Sequence, residues 1–320
     1  MRTWLLYVLV LAVLAIISGC GGGAGSEDPP LVDLPPPPPS ELTGEIVFTW
    51  GSSVRVIQAN GTGFQSIPAN CGGRIGASQD GRYVATTNLN TMGYPELRAT
   101  DRETGVTMLV TTEQYPGAMF ESPFITPDNK YIYFTRYNLI GYERYNDAVF
   151  RVDLSYNVPF STRSPLGGFI ENAISPDATM LTFVSDYNQY ELNGSIWYER
   201  DGIYRIRTLR LGGGYYTVTL PTIGREPSFS PDNQHIVFQR GGVIYQVSAD
   251  GTGEMQLTDG AIPCYSPCYN PDGSMIVYVA YPGEPYNSVL FIQRIADGQV
   301  WALTRDTGRL YRFPYWIPGE

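Results

Sequence analysis

The feature that most constrains the fold of this chain is a short turn sequence that recurs along most of its length. In its fullest form serine, threonine or asparagine is followed by proline and aspartate, and a segment rich in strand-forming residues comes directly after. Five copies occur, at 78–81, 126–129, 175–178, 230–233 and 270–273. Such self-similarity indicates a repeat architecture in which each copy belongs to one supersecondary unit.

The spacing of the turns sets the size of the unit. Aligned on the proline, or on Gln79 in the first copy, successive turns are 48, 49, 55 and 40 residues apart, which is typical of a four-stranded propeller blade. A second signature, an outer hairpin, occurs six times, at 54–68, 97–110, 150–162, 204–220, 244–257 and 290–303. Most hairpin turns contain residues that tolerate a tight backbone, such as Asn60-Gly61 and Asp250-Gly251.

The sixth copy of the turn is split between the two ends of the repeat region. Residues 314–320 supply an inner strand and the start of a turn, and residues 45–49 supply the strand that follows. Pairing these segments removes two exposed strand edges. We therefore predict an all-β fold, a six-bladed β-propeller of four-stranded blades over residues 43–320, closed by pairing of the N- and C-terminal strands.

Composition agrees with this prediction and excludes one class of partner. Charged residues are 16% of the chain, whereas it holds 35 Gly, 25 Pro and 24 Tyr, a profile rich in turn and strand formers. The net charge of −10 offers no basic face that could neutralise phosphates. Nucleic acid is therefore not expected as a partner, and anionic membrane surfaces are disfavoured.

The first 20 residues carry an export signal. Arg2 is followed by an apolar run at 5–17, too short to span a bilayer but suited to a signal peptide over 1–19. The run ends in Ile-Ser-Gly-Cys at 17–20, which resembles a bacterial lipobox. The resemblance implies that Cys20 is lipidated and becomes the mature N-terminus. Gly21, instead of Asp, at the next position resembles the signal that sorts a lipoprotein to the outer membrane. An ordinary signal peptide that contains a cysteine is the alternative.

A linker at 20–42 is first Gly-rich and then Pro-rich. We expect it to be disordered, with a polyproline II part at 29–39 that holds the domain roughly 30 Å from the membrane. The alternative is that the Pro-rich part is a docking motif for a proline-binding partner. The predicted location is the cell envelope, at the outer membrane and facing the periplasm, with the lipid on Cys20 as the membrane contact.

The repeats carry a family resemblance. The Pro-Asp turn with its following strand, together with Asp-Gly-Thr-Gly-Glu-Met-Gln-Leu-Thr at 250–258, resembles the repeats of TolB-type, WD40-like (PD40) propellers. The resemblance covers nearly all of the chain after the linker, and it implies the propeller fold and an envelope setting. TolB has a separate α/β domain before its propeller, where this chain has the linker, so a role in a Tol–Pal system does not follow.

Catalytic groups are not indicated. The repeated aspartates lie one per blade in turns, where a carboxylate accepts backbone N–H bonds, and we interpret them as structural; they are Asp80, Asp128, Asp177, Asp232 and Asp272. The single histidine, His235, begins a strand as a packing residue. The chain has no Gly-x-Ser-x-Gly motif, and it lacks the several histidines on which pectin-fragment lyases with a related propeller depend. We predict no catalytic residue, no metal site and no cofactor.

The cysteines permit one disulfide in an exported protein. Cys264 and Cys268 are close enough in sequence to bridge locally across the loop that enters the last intact repeat, and Cys71 would then be left over.

Three glutamates suggest an acidic rim on the channel. Glu121, Glu171 and Glu226 precede the turn proline by five or six residues in three successive blades. Because inner strands line a propeller channel, these carboxylates could accept a cation or a basic peptide end. The alternative is a repeated structural feature with no ligand.

The connections between the second and third strands are long and rich in aromatic residues in several blades. We expect these loops, at 88–95, 136–147, 186–202 and 281–288, to crowd around one mouth of the channel, where loops of repeat arrays commonly bind partners. The alternative is that these segments pack on one another as extended hairpins. The candidate ligand-binding residues are Tyr137, Tyr142, Tyr145, Tyr187, Tyr190, Trp197, Tyr198, Tyr281 and Tyr286.

Three functions remain open from the sequence. The first is a non-enzymatic envelope lipoprotein that binds a protein or peptide through the aromatic face. The second is a glycan-binding module, because aromatic rings also stack on sugars. The third is a hydrolase or lyase that uses carboxylates, for which the sequence shows no converging acid pair.

Overall fold

The computed structural model describes residues 34–115, 117–140, 143–154, 159–162, 170–192, 195–210, 217–283, 287–306 and 308–319. These residues form 24 strands, β1 to β24 in chain order, in six four-stranded antiparallel sheets. The predicted all-β, six-bladed propeller is confirmed. No helix among the described residues is long and apolar enough to cross a membrane.

The sheets are numbered here as blades 1 to 6, and each is given from its inner to its outer strand. Blade 1 contains β24 (Tyr311–Ile317), β1 (Glu45–Trp50), β2 (Ser53–Gln58) and β3 (Gln65–Asn70). Blade 2 contains β4 (Ile75–Ala77), β5 (Tyr83–Leu89), β6 (Pro95–Asp101) and β7 (Thr107–Thr112). Blade 3 contains β8 (Ala118–Ile125), β9 (Tyr131–Ile140), β10 (Glu143–Asp153) and β11 (Pro159–Thr162). Blade 4 contains β12 (Ile170–Ile174), β13 (Met180–Leu192), β14 (Ser195–Arg210) and β15 (Thr217–Ile223). Blade 5 contains β16 (Arg225–Phe229), β17 (His235–Arg240), β18 (Val243–Ser248) and β19 (Met255–Gln256). Blade 6 contains β20 (Cys264–Tyr269), β21 (Met275–Ala280), β22 (Val289–Arg294) and β23 (Val300–Ala302).

The core of the described chain consists of six apolar clusters, one at each junction between neighbouring blades. Each blade is covered on both faces, so its second strand is an apolar run: the four central residues of β1 are all buried. The outer strand β3 alternates between buried and exposed residues. The inner strands contact one another around the ring in the order β24, β4, β8, β12, β16, β20.

Blade 1 is assembled from both ends of the described chain. β24 pairs antiparallel with β1, with Glu45 opposite Ile317 and Trp50 opposite Tyr311. Trp316 and Ile46 belong to the cluster at the junction of blades 6 and 1, so the pairing is reinforced by burial of a large aromatic side chain.

The repeated turn joins the first two strands of a blade. The Ser230 hydroxyl donates to Asp232 Oδ1 (2.5 Å), which also accepts the backbone N–H of Gln234 (2.9 Å). The His235 N–H in turn donates to the Ser230 hydroxyl. Equivalent contacts occur at the other four copies. The interpretation of these aspartates as turn residues is confirmed.

The cysteines depart from the sequence prediction. Cys264 and Cys268 are both free and buried, and they lie on one strand, β20, instead of in a loop. Four residues of extended chain span about 13 Å, well beyond the reach of a disulfide. They also pack in different clusters, Cys264 between blades 5 and 6 and Cys268 between blades 6 and 1. The predicted disulfide is therefore wrong, and Cys71 is also free and buried.

Part of the predicted linker is ordered. Leu34 packs against the cluster between blades 5 and 6, and Leu42 packs against the cluster between blades 6 and 1. The prediction of disorder is therefore wrong for residues 34–42, because apolar side chains at both ends of this segment find a place at blade junctions. The predicted signal peptide, Cys20 and the Gly-rich part of the predicted linker lie outside the described residues.

Candidate ligand site at one mouth of the channel

Five inner strands carry a β-bulge at the same place. In each, one residue has a left-handed backbone, with φ of 50° to 55°, where non-glycine residues are uncommon. The strand register shifts at these positions. A bulge re-aims the side chain, here toward the channel. The five residues are Ser122, Glu171, Glu226, Ser266 and Phe313.

Two of these residues link successive blades through their carboxylates. Glu171 accepts the backbone N–H of Glu226 (2.8 Å), and Glu226 accepts the backbone N–H of Ser266 (2.7 Å). The Ser266 hydroxyl also donates to Glu226 (3.1 Å). The carboxylates therefore satisfy bulge amides that the strand ladder leaves unpaired.

Arginines neutralise these carboxylates. Arg74, from blade 2, reaches Glu226 on the opposite blade (3.0 Å) and Glu171 (3.8 Å), and its guanidinium lies over the Phe313 ring (4.9 Å). Arg225 binds Glu171 at 2.7 Å. Although burial disfavours its charge, the Glu171 carboxylate holds the pKa of Arg225 above the usual value. Arg74 thus spans the channel.

The predicted acidic rim is realised in part. Glu171 and Glu226 do converge, but their charges are already matched by arginines of the same chain. Glu121 lies one residue before the bulge at Ser122 and is not their equivalent. Arg74 is the equivalent in blade 2, because it precedes Gln79 by five residues as Glu226 precedes Pro231. Alignment on the turn would have revealed it.

A cavity of about 620 Å³ opens above this layer, at the mouth where the inner strands begin. The rings of Tyr265 and Tyr281 meet edge to face in its wall, with centroids 5.6 Å apart. Burial raises the pKa of Tyr281, and the nearby Arg312 guanidinium opposes that rise. The residues lining the cavity are Glu226, Pro263, Tyr265, Ser266, Val279, Tyr281, Gly283, Arg312 and Phe313.

Arg312 is the exposed cation of the cavity. Among the described residues no carboxylate lies within 4.0 Å of its guanidinium, in contrast to Arg74 and Arg225. Together the lining offers two tyrosine rings, a phenylalanine ring and a guanidinium. This combination suits a ligand with an apolar or aromatic group beside a hydrogen-bond acceptor or an anion.

The channel narrows on the other side of Arg74. A cavity of about 90 Å³ near the opposite mouth is lined mostly by apolar groups, including Pro127, Pro176, Pro231 and Pro271 of the repeated turns. Between the two, a space of about 80 Å³ is lined by polar and apolar groups. The cavity of about 620 Å³ thus opens at the mouth where the inner strands begin, and the space described at the end with the repeated turns is smaller.

Of the nine predicted aromatic residues, Tyr137 and Tyr281 have described side chains, and Tyr281 is the one of these two that lines the cavity. Tyr137 is buried on β9. Tyr142 and Tyr286 lie outside the described residues, and the side chains of the other five lie outside them as well. Those five belong to strands β10, β13 and β14.

The predicted long loops of blades 3 and 4 are extended hairpins. β13 and β14 stay paired as far as Leu192 and Ser195, with Tyr190 opposite Trp197. The sequence left extended hairpins open as the alternative, and the structure has extended hairpins there, because strand-forming residues continue the ladder beyond the blade.

Three residues of the site were not predicted from the sequence, namely Tyr265, Arg312 and Phe313. Phe313 shares the five-residue spacing to a proline, Pro318, that marks the other bulge positions. Arg312 precedes it directly. Tyr265 has no signal of its own, since it reaches the cavity only because β20 begins at this mouth. Among the described residues no group of three His, Cys, Asp or Glu side chains could hold a metal ion.

No protein-family model and no curated protein matches the sequence. Solved structures do match the fold. TolB from Acinetobacter baumannii superimposes with a TM-score of 0.69 at 19% identity, covering 88% of this chain and 68% of that one. A putative TolB from Agrobacterium tumefaciens gives 0.57 at 17%, covering 87% and 100%. An oligogalacturonate lyase in complex with manganese gives 0.51 at 16%, covering 82% and 74%. The chain is therefore a six-bladed β-propeller with TolB structures among its structural neighbours.

Proposed function

We propose that this chain is a non-enzymatic, lipid-anchored protein of the cell envelope that binds a segment of a partner protein in the cavity at the channel mouth. The observation that carries the proposal is the cavity of about 620 Å³ walled by Tyr265, Tyr281, Phe313 and Arg312. Its volume is that of a ligand pocket. Tyrosine and arginine are the residue types that most often anchor protein interfaces.

The charges of the site favour binding over chemistry. Both oxygens of Glu226 and both oxygens of Glu171 already accept charge-assisted or backbone hydrogen bonds. Carboxylate oxygens engaged in this way favour a structural role in the channel over a role in a reaction. The envelope location rests on the signal peptide and on the lipobox ending at Cys20.

The test is site-specific photo-crosslinking in intact cells. A photoreactive amino acid replaces Tyr281 in the full-length protein, and a matched probe replaces Val106, which is exposed in the outer hairpin turn of blade 2. We expect a discrete protein adduct from position 281 and none from position 106. Arg312→Ala in the probe-bearing chain should abolish the adduct. No adduct at 281, or equal adducts at both positions, contradicts the proposal.

The extended hairpins are tested separately. Tyr142, Tyr190 and Trp197 remain candidate contacts by sequence, and changing all three to Ala should weaken capture of the same partner if the interface extends beyond the cavity. Unchanged capture restricts the interface to the cavity.

Glycan binding is the second candidate. It is favoured by the exposed Arg312 beside the Tyr265–Tyr281 pair, since a guanidinium and an aromatic ring suit an acidic sugar. Oligogalacturonate lyases are among the structures that share the fold. Calorimetric titration with oligogalacturonate distinguishes the candidates. A saturable heat signal that disappears in Arg312→Ala favours a glycan ligand, and the absence of a heat signal favours a protein partner.

A further inference from the structure

Residues 34–42, called the proline strap below, run along the outer edge of blade 6. The backbone N–H of Ala302, on the outer strand β23, donates to the carbonyl of Pro36 (2.9 Å). Arg305 donates twice to the carbonyl of Pro35, at 3.0 Å and 2.6 Å. The strap therefore satisfies an edge amide of a strand that is only three residues long.

The strap bridges three blades. Leu34 packs against the apolar cluster at the junction of blades 5 and 6, which contains residues of both blades. Pro38 is buried near Gly61, and the carbonyl of Ser40 accepts a hydrogen bond from Asn60 (3.3 Å), both on the outer hairpin of blade 1. The contacts thus extend from blade 5 across blade 6 to blade 1.

Proline suits this role for a physical reason. A polyproline segment is already extended, so docking it costs little conformational entropy. Its carbonyls can accept hydrogen bonds, and its prolines have no N–H groups with which a further strand could pair. The edge of blade 6 is covered without creating a new edge.

We propose that the proline strap is a positioning device: it fixes the exit of the membrane tether at the rim of blades 5 and 6. This inference rests on the proposed lipid anchor at Cys20. The free tether is then residues 21–33, with a reach of at most about 45 Å.

The docking is tested by hydrogen exchange on the full chain. The Ala302 amide should exchange about tenfold faster in the double variant Leu34→Asp/Arg305→Ala than in the parent. The amides of β17 report whether the propeller remains folded. Arg240→Ala is the matched control, because Arg240 is a rim arginine paired with Glu254 and away from the strap. Equal Ala302 exchange in parent and double variant, with β17 unchanged, overturns the docking.

The positioning is tested on lipidated protein in phosphatidylcholine vesicles that contain a headgroup acceptor dye. A donor dye is placed at Ala296→Cys or at Val106→Cys, both exposed in the outer hairpin turns of blades 6 and 2. The buried Cys71, Cys264 and Cys268 should not compete for the label. We expect stronger energy transfer from the donor on blade 6 than from the donor on blade 2. This difference should vanish in the double variant.

Two failures are distinguishable. If the parent binds the vesicles but both donors transfer equally, the positioning role is overturned while the lipid anchor stands. If the parent does not remain on the vesicles, the lipid anchor fails and the positioning role fails with it, while the Ala302 exchange still decides whether the strap is docked.

Discussion

At the scale of single residues, the charges of the channel form one connected group. Arg74 contacts carboxylates on two other blades, and both sides of these ion pairs are largely buried. A buried carboxylate that loses its cation keeps the cost of desolvation without the compensating attraction. The group is therefore more sensitive to removal of a partner than surface ion pairs are.

Arg74→Ala should lower the free energy of unfolding by about 2–3 kcal/mol. The control is Arg98→Ala, which removes a more exposed pair with Glu96 and should change it by less than about 1 kcal/mol. Urea denaturation measures both. Equal effects of the two substitutions would show that the channel pairs are no more important than surface pairs.

The turn aspartates predict how stability depends on pH. The Ser230 hydroxyl and the Gln234 N–H hold the pKa of Asp232 below its ordinary value of 3.8. A carboxyl with a depressed folded pKa stabilises the fold above the unfolded value, and this contribution is lost as pH falls through the folded pKa. The free energy of unfolding should therefore decline below about pH 4, and less steeply in Asp232→Asn. Denaturant titrations at a series of pH values measure the slopes, and identical slopes would contradict the expectation.

At the scale of elements, the bulge is the device by which five of the inner strands present a side chain to the channel. In each of these five strands it turns one side chain inward at the cost of a left-handed backbone, which is unfavourable for any residue with a Cβ atom. Where that side chain makes contacts, as Glu226 does, the strain is offset. Ser122 is different, since its buried hydroxyl has no hydrogen-bond partner among the described residues.

Ser122→Gly should therefore raise the free energy of unfolding by about 0.5–1 kcal/mol, because glycine adopts the left-handed backbone without strain. Ser266→Gly is the matched control: the backbone is the same, φ 50°, but the hydroxyl bonds Glu226. It should gain less or lose stability. Thermal and urea denaturation of both variants decide, and a loss of stability in Ser122→Gly would show that its hydroxyl is engaged.

At the scale of the whole molecule, each blade is stabilised mainly by its neighbours, because the apolar clusters lie between blades. Blade 1 depends on the last strand of the described chain for its inner edge. Removing that strand exposes Ile46 and the facing side of blade 6 at once.

Deletion of residues 311–320 should therefore abolish the cooperative thermal transition of the entire propeller, as measured by circular dichroism. Deletion of residues 1–33, which form a separate unit from the propeller, should leave that transition unchanged. A sharp transition after removal of 311–320 would mean that the remaining blades fold without β24.

The sequence by itself determined the number of blades, the place of the turns and the structural role of the turn aspartates. These features follow from local chemistry, because Asp232 accepts hydrogen bonds from groups within two residues of itself. The number of blades follows from the number of repeats. The tertiary structure decided the site. Arg74 and Glu226 are 152 residues apart and meet only across the ring, and Tyr265 and Tyr281 form a wall because β20 and β21 are neighbours. The docking of the proline strap also depends on a distant edge, at Ala302. The repeat marks the positions of Arg74 and Glu226, but the pairing of such residues leaves no local pattern in the sequence, because these contacts arise only when the blades surround a common axis.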